Sequence, residues 1–325
     1  MVIIMFNFRK RINNLIFSFL IVLVGLSGIG LFLYIFYPVF LFRVYQQKNI
    51  QKMGFQVKSM NIDKGKIEYF EGGTGDDLIV FVHGYQSDKS YWTKYAKELS
   101  MSHKVVAVDL PGHGGSYSPK NEKMDLQYLS DCLKSFVDHK ELKNFHLVGT
   151  SMGGGVVTLF ASQHSQDLKS LVLLNPLGIR TKEKSNVEKQ LAKGKNPFFP
   201  NNLDELDKLF LYLTNKESGL KKSFKKIVLR KLIHQRDLHR KYFLEILRME
   251  SLDTRLQNIG VPALVVIGEK DQVLHPSSSE IYQKNIPQNT TKIISNGSHV
   301  FYGKVFYQAL QEMKLFFEDP AKQVS

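Results

Sequence analysis

A serine between two glycines is the residue of this chain best suited to act as a nucleophile. It stands at the centre of Gly149-Thr150-Ser151-Met152-Gly153, after an apolar run typical of a buried strand and before a run typical of a helix. In a tight strand-to-helix turn, flanking glycines avoid clashes and the serine hydroxyl projects from the sheet edge. The Met152 N–H would then lie at a helix N-terminus, where the helix dipole favours negative charge. The motif predicts a nucleophile with half of an oxyanion hole.

A serine nucleophile needs a base and a carboxylate that orients the base. Asp271 follows the apolar run at residues 263–267, and His299 follows an alternating run at residues 291–295. Loops at strand ends suit an imidazole that accepts the serine proton and a carboxylate that fixes the imidazole tautomer. Glu269 is a rival acid, although it leaves its strand a residue or two earlier. The chain order serine, acid, histidine predicts Ser151, Asp271 and His299 as a catalytic triad.

Two further loops follow apolar runs and contain histidines. In His83-Gly84-Tyr85, the glycine permits a tight turn at a strand end, and the Tyr85 N–H is predicted to be the second oxyanion donor. His83 and His113 are predicted to hold loops together rather than to act as the general base.

The elements that must position these residues alternate between strand and helix patterns. Residues 55–62 and 66–71 alternate polar and apolar side chains, as in an antiparallel edge hairpin. Continuous apolar runs typical of buried parallel strands occupy residues 78–82, 105–108, 145–148, 171–174 and 263–267. Helical patterns lie between them at residues 91–99, 125–139, 152–164 and 277–284. The sequence predicts an open, mostly parallel α/β sheet flanked by helices, with ligands bound beyond the carboxyl ends of its strands.

The N-terminal segment has the composition of a membrane anchor. Residues 12–42 carry no charged side chain, and residues 15–37 would form a helix of about 35 Å, enough to span a bilayer. A cleaved signal peptide is the competing interpretation, but the apolar run is too long and no Ala-x-Ala-like site follows. Basic residues flank both ends, so the side of the membrane that holds the catalytic domain stays open.

Charge and cysteine content restrict the function classes. The net charge is +14, of which residues 178–250 carry +9, from 18 Lys and Arg against 9 Asp and Glu. Lys221-Lys222-Ser223-Phe224-Lys225-Lys226 is either a lipid-binding basic face or an ordinary solvated one. No helix-turn-helix, RNP or zinc-ligand spacing accompanies the charge, so nucleic-acid binding is not predicted. Cys132 is the single cysteine, which excludes an internal disulfide, and it is predicted to be a buried small apolar residue.

The motifs together resemble the α/β-hydrolase fold family, and more narrowly the membrane-anchored monoacylglycerol lipases and related bacterial lipases. The resemblance rests on His83-Gly84-Tyr85, Asp109-Leu110-Pro111-Gly112-His113-Gly114, Leu147-Val148-Gly149-Thr150-Ser151-Met152-Gly153-Gly154, Asp271-Gln272-Val273-Leu274 and Asn296-Gly297-Ser298-His299. It implies a Ser151 nucleophile, an Asp271 acid, a His299 base and backbone donors at Tyr85 and Met152. It also implies no metal and no organic cofactor, and a helical cap inserted where the strand–helix rhythm stops.

The expected organisation is an anchor at residues 1–42, a connector at 43–54, a core at 55–177 and 251–318, and a cap at 178–250. The expected function is that of a membrane-tethered serine hydrolase, an enzyme that cleaves monoacylglycerol-like or other acyl ester lipids. Two alternatives stay open: a C–C bond or amide hydrolase with the same triad, and a non-catalytic lipid-binding protein. The Asn196-Pro197-Phe198-Phe199-Pro200 loop either lines a lipid entry path or packs the cap onto the core. The sequence does not indicate the oligomeric state.

Overall fold

The computed structural model describes residues 19, 22–23, 37–120 and 122–324. The predicted membrane anchor lies outside the described residues except for 19, 22–23 and 37–42. Among the described residues, no helix is both long and apolar enough to cross a bilayer. Helix α1 (Pro38–Lys52) runs through most of the predicted connector without a break at residue 42.

An eight-stranded sheet forms the centre of the unit Lys48–Ser325. Its strands are β1 (Gln56–Ile62), β2 (Gly65–Gly73), β3 (Leu78–Val82), β4 (Lys104–Val108), β5 (Phe145–Thr150), β6 (Leu168–Leu174), β7 (Ala263–Gly268) and β8 (Asn289–Ile294). Their order in the sheet is β1-β2-β4-β3-β5-β6-β7-β8. Strand β2 pairs antiparallel with β1 and β4, and all other pairs are parallel. The predicted mostly parallel sheet with an antiparallel start is confirmed.

Helices cover both faces of the sheet. The helices after α1 are α2 (Thr93–Leu99), α3 (Leu126–His139), α4 (Met152–His164), α5 (Asn186–Ala192), α6 (Leu203–Thr214), α7 (Lys222–His234), α8 (Arg236–Arg248), α9 (Asp253–Leu256), α10 (Ser278–Asn285) and α11 (Lys304–Glu318), of which α5 to α8 lie in residues 178–250, between β6 and β7. Strand β3 shows the two-sided burial: Val80 and Val82 pack with α3 and α4, whereas Ile79 and Phe81 pack with α2 and α11. This burial on both faces explains the continuous apolar runs, since successive strand residues point to opposite faces.

Residues 178–250, which we call the cap segment, leave the sheet after β6 and return before β7. The segment contains α5 to α8. Leu206, Leu209 and Leu232 form a buried apolar cluster of its own, against which Phe198 and Val228 pack. Asn202 begins α6 by accepting the Glu205 N–H at 2.9 Å, and Asn215 ends it with a positive φ of 54°.

Candidate active site

Ser151 occupies a tight turn between β5 and α4, in a backbone conformation that residues other than glycine rarely adopt. Its φ is 51° and its ψ is −123°. Its N–H donates to the Leu174 carbonyl at 3.1 Å, and its own carbonyl accepts the Leu177 N–H at 2.8 Å. A β-carbon on Gly153 would lie 2.4 Å from the Val82 carbonyl oxygen. The strained turn therefore depends on these hydrogen bonds and on direct backbone packing against β3.

The three residues predicted as a triad lie in contact with one another. His299 Nε2 is 3.0 Å from Ser151 Oγ, and His299 Nδ1 is 2.7 Å from Asp271 Oδ2. Asp271 Oδ1 accepts the N–H groups of Val273 at 2.7 Å and Leu274 at 3.0 Å. An ionised carboxylate only accepts hydrogen bonds, so Nδ1 carries the proton and Nε2 faces the serine as an acceptor. This arrangement can transfer the serine proton to the imidazole.

Glu269, the rival acid, is bonded to residues other than His299. It is exposed, and its carboxylate accepts the Asn296 N–H at 2.9 Å and the Ser295 hydroxyl at 3.2 Å. The hydrogen bond from Asn296 lowers the pKa of Glu269. The structure therefore brings Asp271, and not Glu269, to the imidazole.

Both predicted oxyanion donors lie beside Ser151. A β-carbon on Gly84 would lie 3.1 Å from Ser151 Cβ, so the loop that carries Tyr85 passes directly next to the serine. Met152 is the first residue of α4. In the described part of the chain, neither the Tyr85 nor the Met152 N–H donates to a protein acceptor. Both amides therefore remain available for an oxygen bound at Ser151.

His83 and His113 pack loops, as the sequence predicted. His83 is fully buried, with Nδ1 2.8 Å from the Gly84 carbonyl and Nε2 accepting the Leu110 N–H at 3.1 Å. Burial lowers the pKa of His83 to about 4. His113 Nδ1 is 3.0 Å from the Pro111 carbonyl, and burial lowers the pKa of His113 to about 3. Both rings are therefore neutral at physiological pH and are occupied by loop contacts.

Asn175 holds the acid and histidine loops together, and sequence reasoning missed it. Its Nδ2 donates to the carbonyls of Ser298 at 3.0 Å and His299 at 2.8 Å. Its Oδ1 accepts the Gly268 N–H at 2.7 Å at the end of β7. The available signal was a polar residue directly after the buried strand β6, at the same sheet edge as Ser151.

An apolar cavity of about 530 Å³ opens at Ser151 and His299. This volume falls within the range of about 300–1,000 Å³ for small-molecule sites. The cap segment supplies much of its apolar lining, including Leu206, Leu209, Phe210, Val228, Leu232 and Phe243. Phe198 also lines the cavity, and its ring centroid is 5.7 Å from that of Tyr85. The loop at residues 196–200 thus both lines the cavity and packs the cap segment onto the core.

The cap segment is bonded to the loop that carries Tyr85. Lys231 Nζ lies 2.8 Å from Asp88 Oδ2, and the two side chains are 15% and 10% exposed. The Tyr85 hydroxyl donates to the His239 carbonyl at 2.7 Å. The Gln86 side-chain amide donates to the Phe198 carbonyl at 3.1 Å. Three side chains of the loop that carries Tyr85 are therefore fixed by the cap segment.

The cap segment is also bonded to the acid and histidine loops. The Ser185 hydroxyl donates to the Val273 carbonyl at 2.8 Å, and the Val187 N–H donates to the Gln272 carbonyl at 2.9 Å. The Val300 N–H, next to His299, donates to a cap-segment carbonyl at 2.8 Å. The loops that carry Tyr85, Asp271 and His299 thus each have a hydrogen bond to the cap segment.

Comparison with known proteins identifies the same fold. A family model described as the alpha/beta hydrolase fold matches residues 77–304. Among solved structures, a membrane phospholipase A superimposes with a TM-score of 0.84 at 25% identity, covering 93% of this chain and 98% of that chain. A protein from Acinetobacter baumannii AYE described as a putative lipase superimposes with a TM-score of 0.79 at 20% identity, covering 86% of this chain and 97% of that chain, and supports the fold alone.

Similar sequences include lipases from animals and bacteria. Monoacylglycerol lipase ABHD6 of Homo sapiens is 27% identical over 280 residues, covering 82% of this chain and 83% of that protein. Lipase 3 of Moraxella sp. (strain TA144) is 29% identical over 268 residues, covering 78% of this chain and 83% of that protein. The aligned regions span most of both chains.

Proposed function

The chain belongs to the α/β-hydrolase family, and from its site we propose a membrane-tethered serine ester hydrolase that cleaves monoacylglycerol-like or other acyl ester lipids. The observation that carries the proposal is the position of His299, within hydrogen-bond distance of both Ser151 and Asp271 beside an apolar cavity. The lipase names of the sequence relatives support a lipid ester as the substrate class.

The first half of the reaction forms an acyl-enzyme. Ser151 Oγ attacks the ester carbonyl carbon while its proton passes to His299 Nε2. The negative charge that develops on the carbonyl oxygen is stabilised by the N–H groups of Tyr85 and Met152. The carbon–oxygen bond to the alcohol then breaks, and His299 gives its proton to the leaving alcohol oxygen.

The second half releases the fatty acid. A water molecule attacks the acyl carbon as His299 accepts one of its protons, and the same N–H donors stabilise the oxyanion. Collapse breaks the bond to Ser151 Oγ, which takes the proton back from His299. Asp271 keeps the imidazole tautomer and stabilises its charged form through both steps.

The cavity favours a long apolar acyl group. Leu206, Phe210 and Leu232 supply an apolar surface that an acyl chain would bury, at roughly 0.8 kcal/mol per methylene group. A head group would meet Arg180 and Lys184, which line the same cavity. The proposed cap at residues 178–250 would therefore select the acyl chain, while the core would perform the chemistry.

A substrate series tests the proposed reaction. We expect kcat/KM for monoacylglycerols to rise about fourfold per added methylene until the cavity is filled. The control is the amide of the same acyl group, together with a C–C bond substrate. A higher kcat/KM on the amide or on the C–C substrate would contradict the ester assignment and would indicate an amide or C–C bond hydrolase.

Shortening the chain tests the membrane tether. A protein that begins at Gln46 keeps Ile50, which is buried against the core, and we expect it to hydrolyse a short soluble ester at the full-length rate. It should lose activity on monoacylglycerol in vesicles. Equal vesicle activity in both proteins would show that residues before Gln46 do not deliver the substrate. A protein that begins at Phe55 lacks Ile50 and should melt at a lower temperature.

A further inference from the structure

Two histidines and an aspartate meet at the sheet edge opposite Ser151. Asp77 directly precedes β3, His103 directly precedes β4, and His146 is the second residue of β5. In the parallel register Leu78 pairs with Lys104 and Ile79 pairs with His146, so the three strands begin side by side. One potential ligand atom from each of the three residues lies within 4.8 Å of the others.

His146 has the features of an oriented ligand. Its side chain is fully buried, and Nδ1 lies 2.7 Å from Ser170 Oγ on the neighbouring strand β6. Its Nε2 is buried and has no hydrogen-bond partner in the part of the chain that the structure describes. A buried polar atom without a partner costs free energy, and bound metal would supply the missing partner.

The other two residues are oriented in the same way. His103 Nδ1 lies 2.9 Å from the Ser102 hydroxyl, which leaves Nε2 for a metal. Asp77 Oδ2 accepts from Lys169 Nζ at 2.7 Å, which leaves Oδ1. Each ligand thus has one atom in contact with a neighbour and one atom available, and the serine contacts of the two histidines are like the outer contacts that orient ligands in metal sites.

We propose that Asp77, His103 and His146 bind a divalent transition-metal ion of the zinc class. Two imidazoles and one carboxylate suit Zn²⁺ better than Mg²⁺ or Ca²⁺, which prefer oxygen ligands. Ligand atoms around a tetrahedral ion at about 2.1 Å lie roughly 3.4 Å apart, so the group must contract. Asp77 and His103 are only partly buried and can move toward the fixed His146.

Bound zinc would join the starts of three central strands. The site lies at the edge opposite the catalytic loops, so the ion would stabilise the fold without taking part in ester hydrolysis. Lys169 opposes binding, because its positive charge lies next to Asp77. Because the lysine repels a metal cation, replacing Lys169 by a neutral residue should strengthen metal binding.

Calorimetric titration of the full-length, chelator-treated protein with zinc tests the proposal. We expect one zinc per chain with a Kd of about 10 µM or tighter, and a melting temperature raised by about 2 °C or more at about 100 µM zinc. His103→Ala should weaken binding at least about tenfold, one ligand's share of the affinity. Lys169→Met should tighten it.

The matched control is His234→Ala, which removes an exposed histidine from α7. It should bind zinc as the wild type does, and ester hydrolysis by each variant confirms that it is folded. Absence of stoichiometric binding by the wild type overturns the proposal. Equal affinity of His103→Ala and the wild type also overturns it, since zinc would then bind elsewhere.

Discussion

The core loops and the cap segment meet at Ser151, and different interactions hold them in place. In the core, backbone packs against backbone: a β-carbon on Gly153 would strike the Val82 carbonyl, and one on Gly268 would lie 2.7 Å from the Gly297 backbone. The cap segment instead attaches through side chains and single hydrogen bonds, such as Lys231 to Asp88. Few substitutions are compatible with the close backbone packing of the core. In the cap segment, one attachment can be removed by substitution while the others remain.

The core and the cap segment therefore have different tasks. The core fixes the geometry between Ser151, Asp271 and His299, on which the proposed chemistry depends. The cap segment supplies much of the cavity lining and is hydrogen-bonded to the loops that carry Tyr85, Asp271 and His299. We therefore expect core changes to reduce the rate of the chemical step for every substrate. Changes in the cap segment should alter selectivity, or should alter turnover only where they break a contact with a core loop.

The largest effect within this comparison is expected at the acid. Asp271→Asn should lower kcat by about 1,000-fold or more, because the amide permits the wrong imidazole tautomer. Glu269→Gln is the matched control and should leave kcat within about twofold, since the Glu269 carboxylate is bonded to the exposed turn at Ser295 and Asn296. Steady-state kinetics on a soluble ester measure both. A larger loss from Glu269→Gln would mean that the acid is misassigned.

The next effect tests whether the cap segment positions a core loop. Lys231→Met leaves Asp88 buried without this partner and should lower kcat about 10- to 100-fold, with a smaller change in KM. Lys225→Met is the control on the same helix, because Lys225 pairs with Asp207 inside the cap segment at 2.7 Å. It should change kcat by less than about twofold. Equal losses would show that general destabilisation of the cap segment, and not the Asp88 contact, is responsible.

The smallest effect concerns the basic face predicted at residues 221–226. Lys225 is paired with Asp207, whereas Lys221, Lys222 and Lys226 are exposed. Replacing these three lysines by glutamine should reduce activity on anionic vesicles about two- to fivefold, and should leave a soluble ester unaffected.

The matched control removes the same charge from exposed positions of the core, Lys66, Lys104 and Lys284. Raising salt should abolish the difference between the two triple variants, because the Debye length is about 10 Å at 0.1 M. If activity falls equally on the vesicle and the soluble substrate, the cap lysines stabilise the fold and do not bind lipid.

The elements that could be predicted from sequence are those set by local pattern. Apolar runs identified β3 and β5 because both strands are buried on two faces, and the Met152–His164 helix was predicted with the observed bounds. The contact between His299 and Asp271 agrees with the chain order of the motifs. The strands and the helix depend on residues close together in the sequence, whereas the contact between His299 and Asp271 was inferred from two separate motifs and their order.

Features set by long-range pairing were not predictable in this way. Asn175 bonds to residues more than 90 positions away, and no local pattern specifies those partners. Similarly, Lys231 belongs to a basic run that suggests a solvated face, yet it forms a largely buried pair with Asp88. The cavity volume likewise depends on how the cap helices pack over the core.

The most direct test of the account is labelling of the protein with a fluorophosphonate, followed by mass spectrometry. The reagent phosphonylates activated serine nucleophiles with loss of fluoride, so we expect one adduct on Ser151 in the wild type and none in Ser151→Ala. The variant should keep its melting temperature, because the lost hydroxyl leaves no core cavity, and should lose hydrolysis by about 100,000-fold or more. Labelling at a different serine, or hydrolysis by Ser151→Ala within about tenfold of the wild type, would contradict the assignment of Ser151 as the nucleophile.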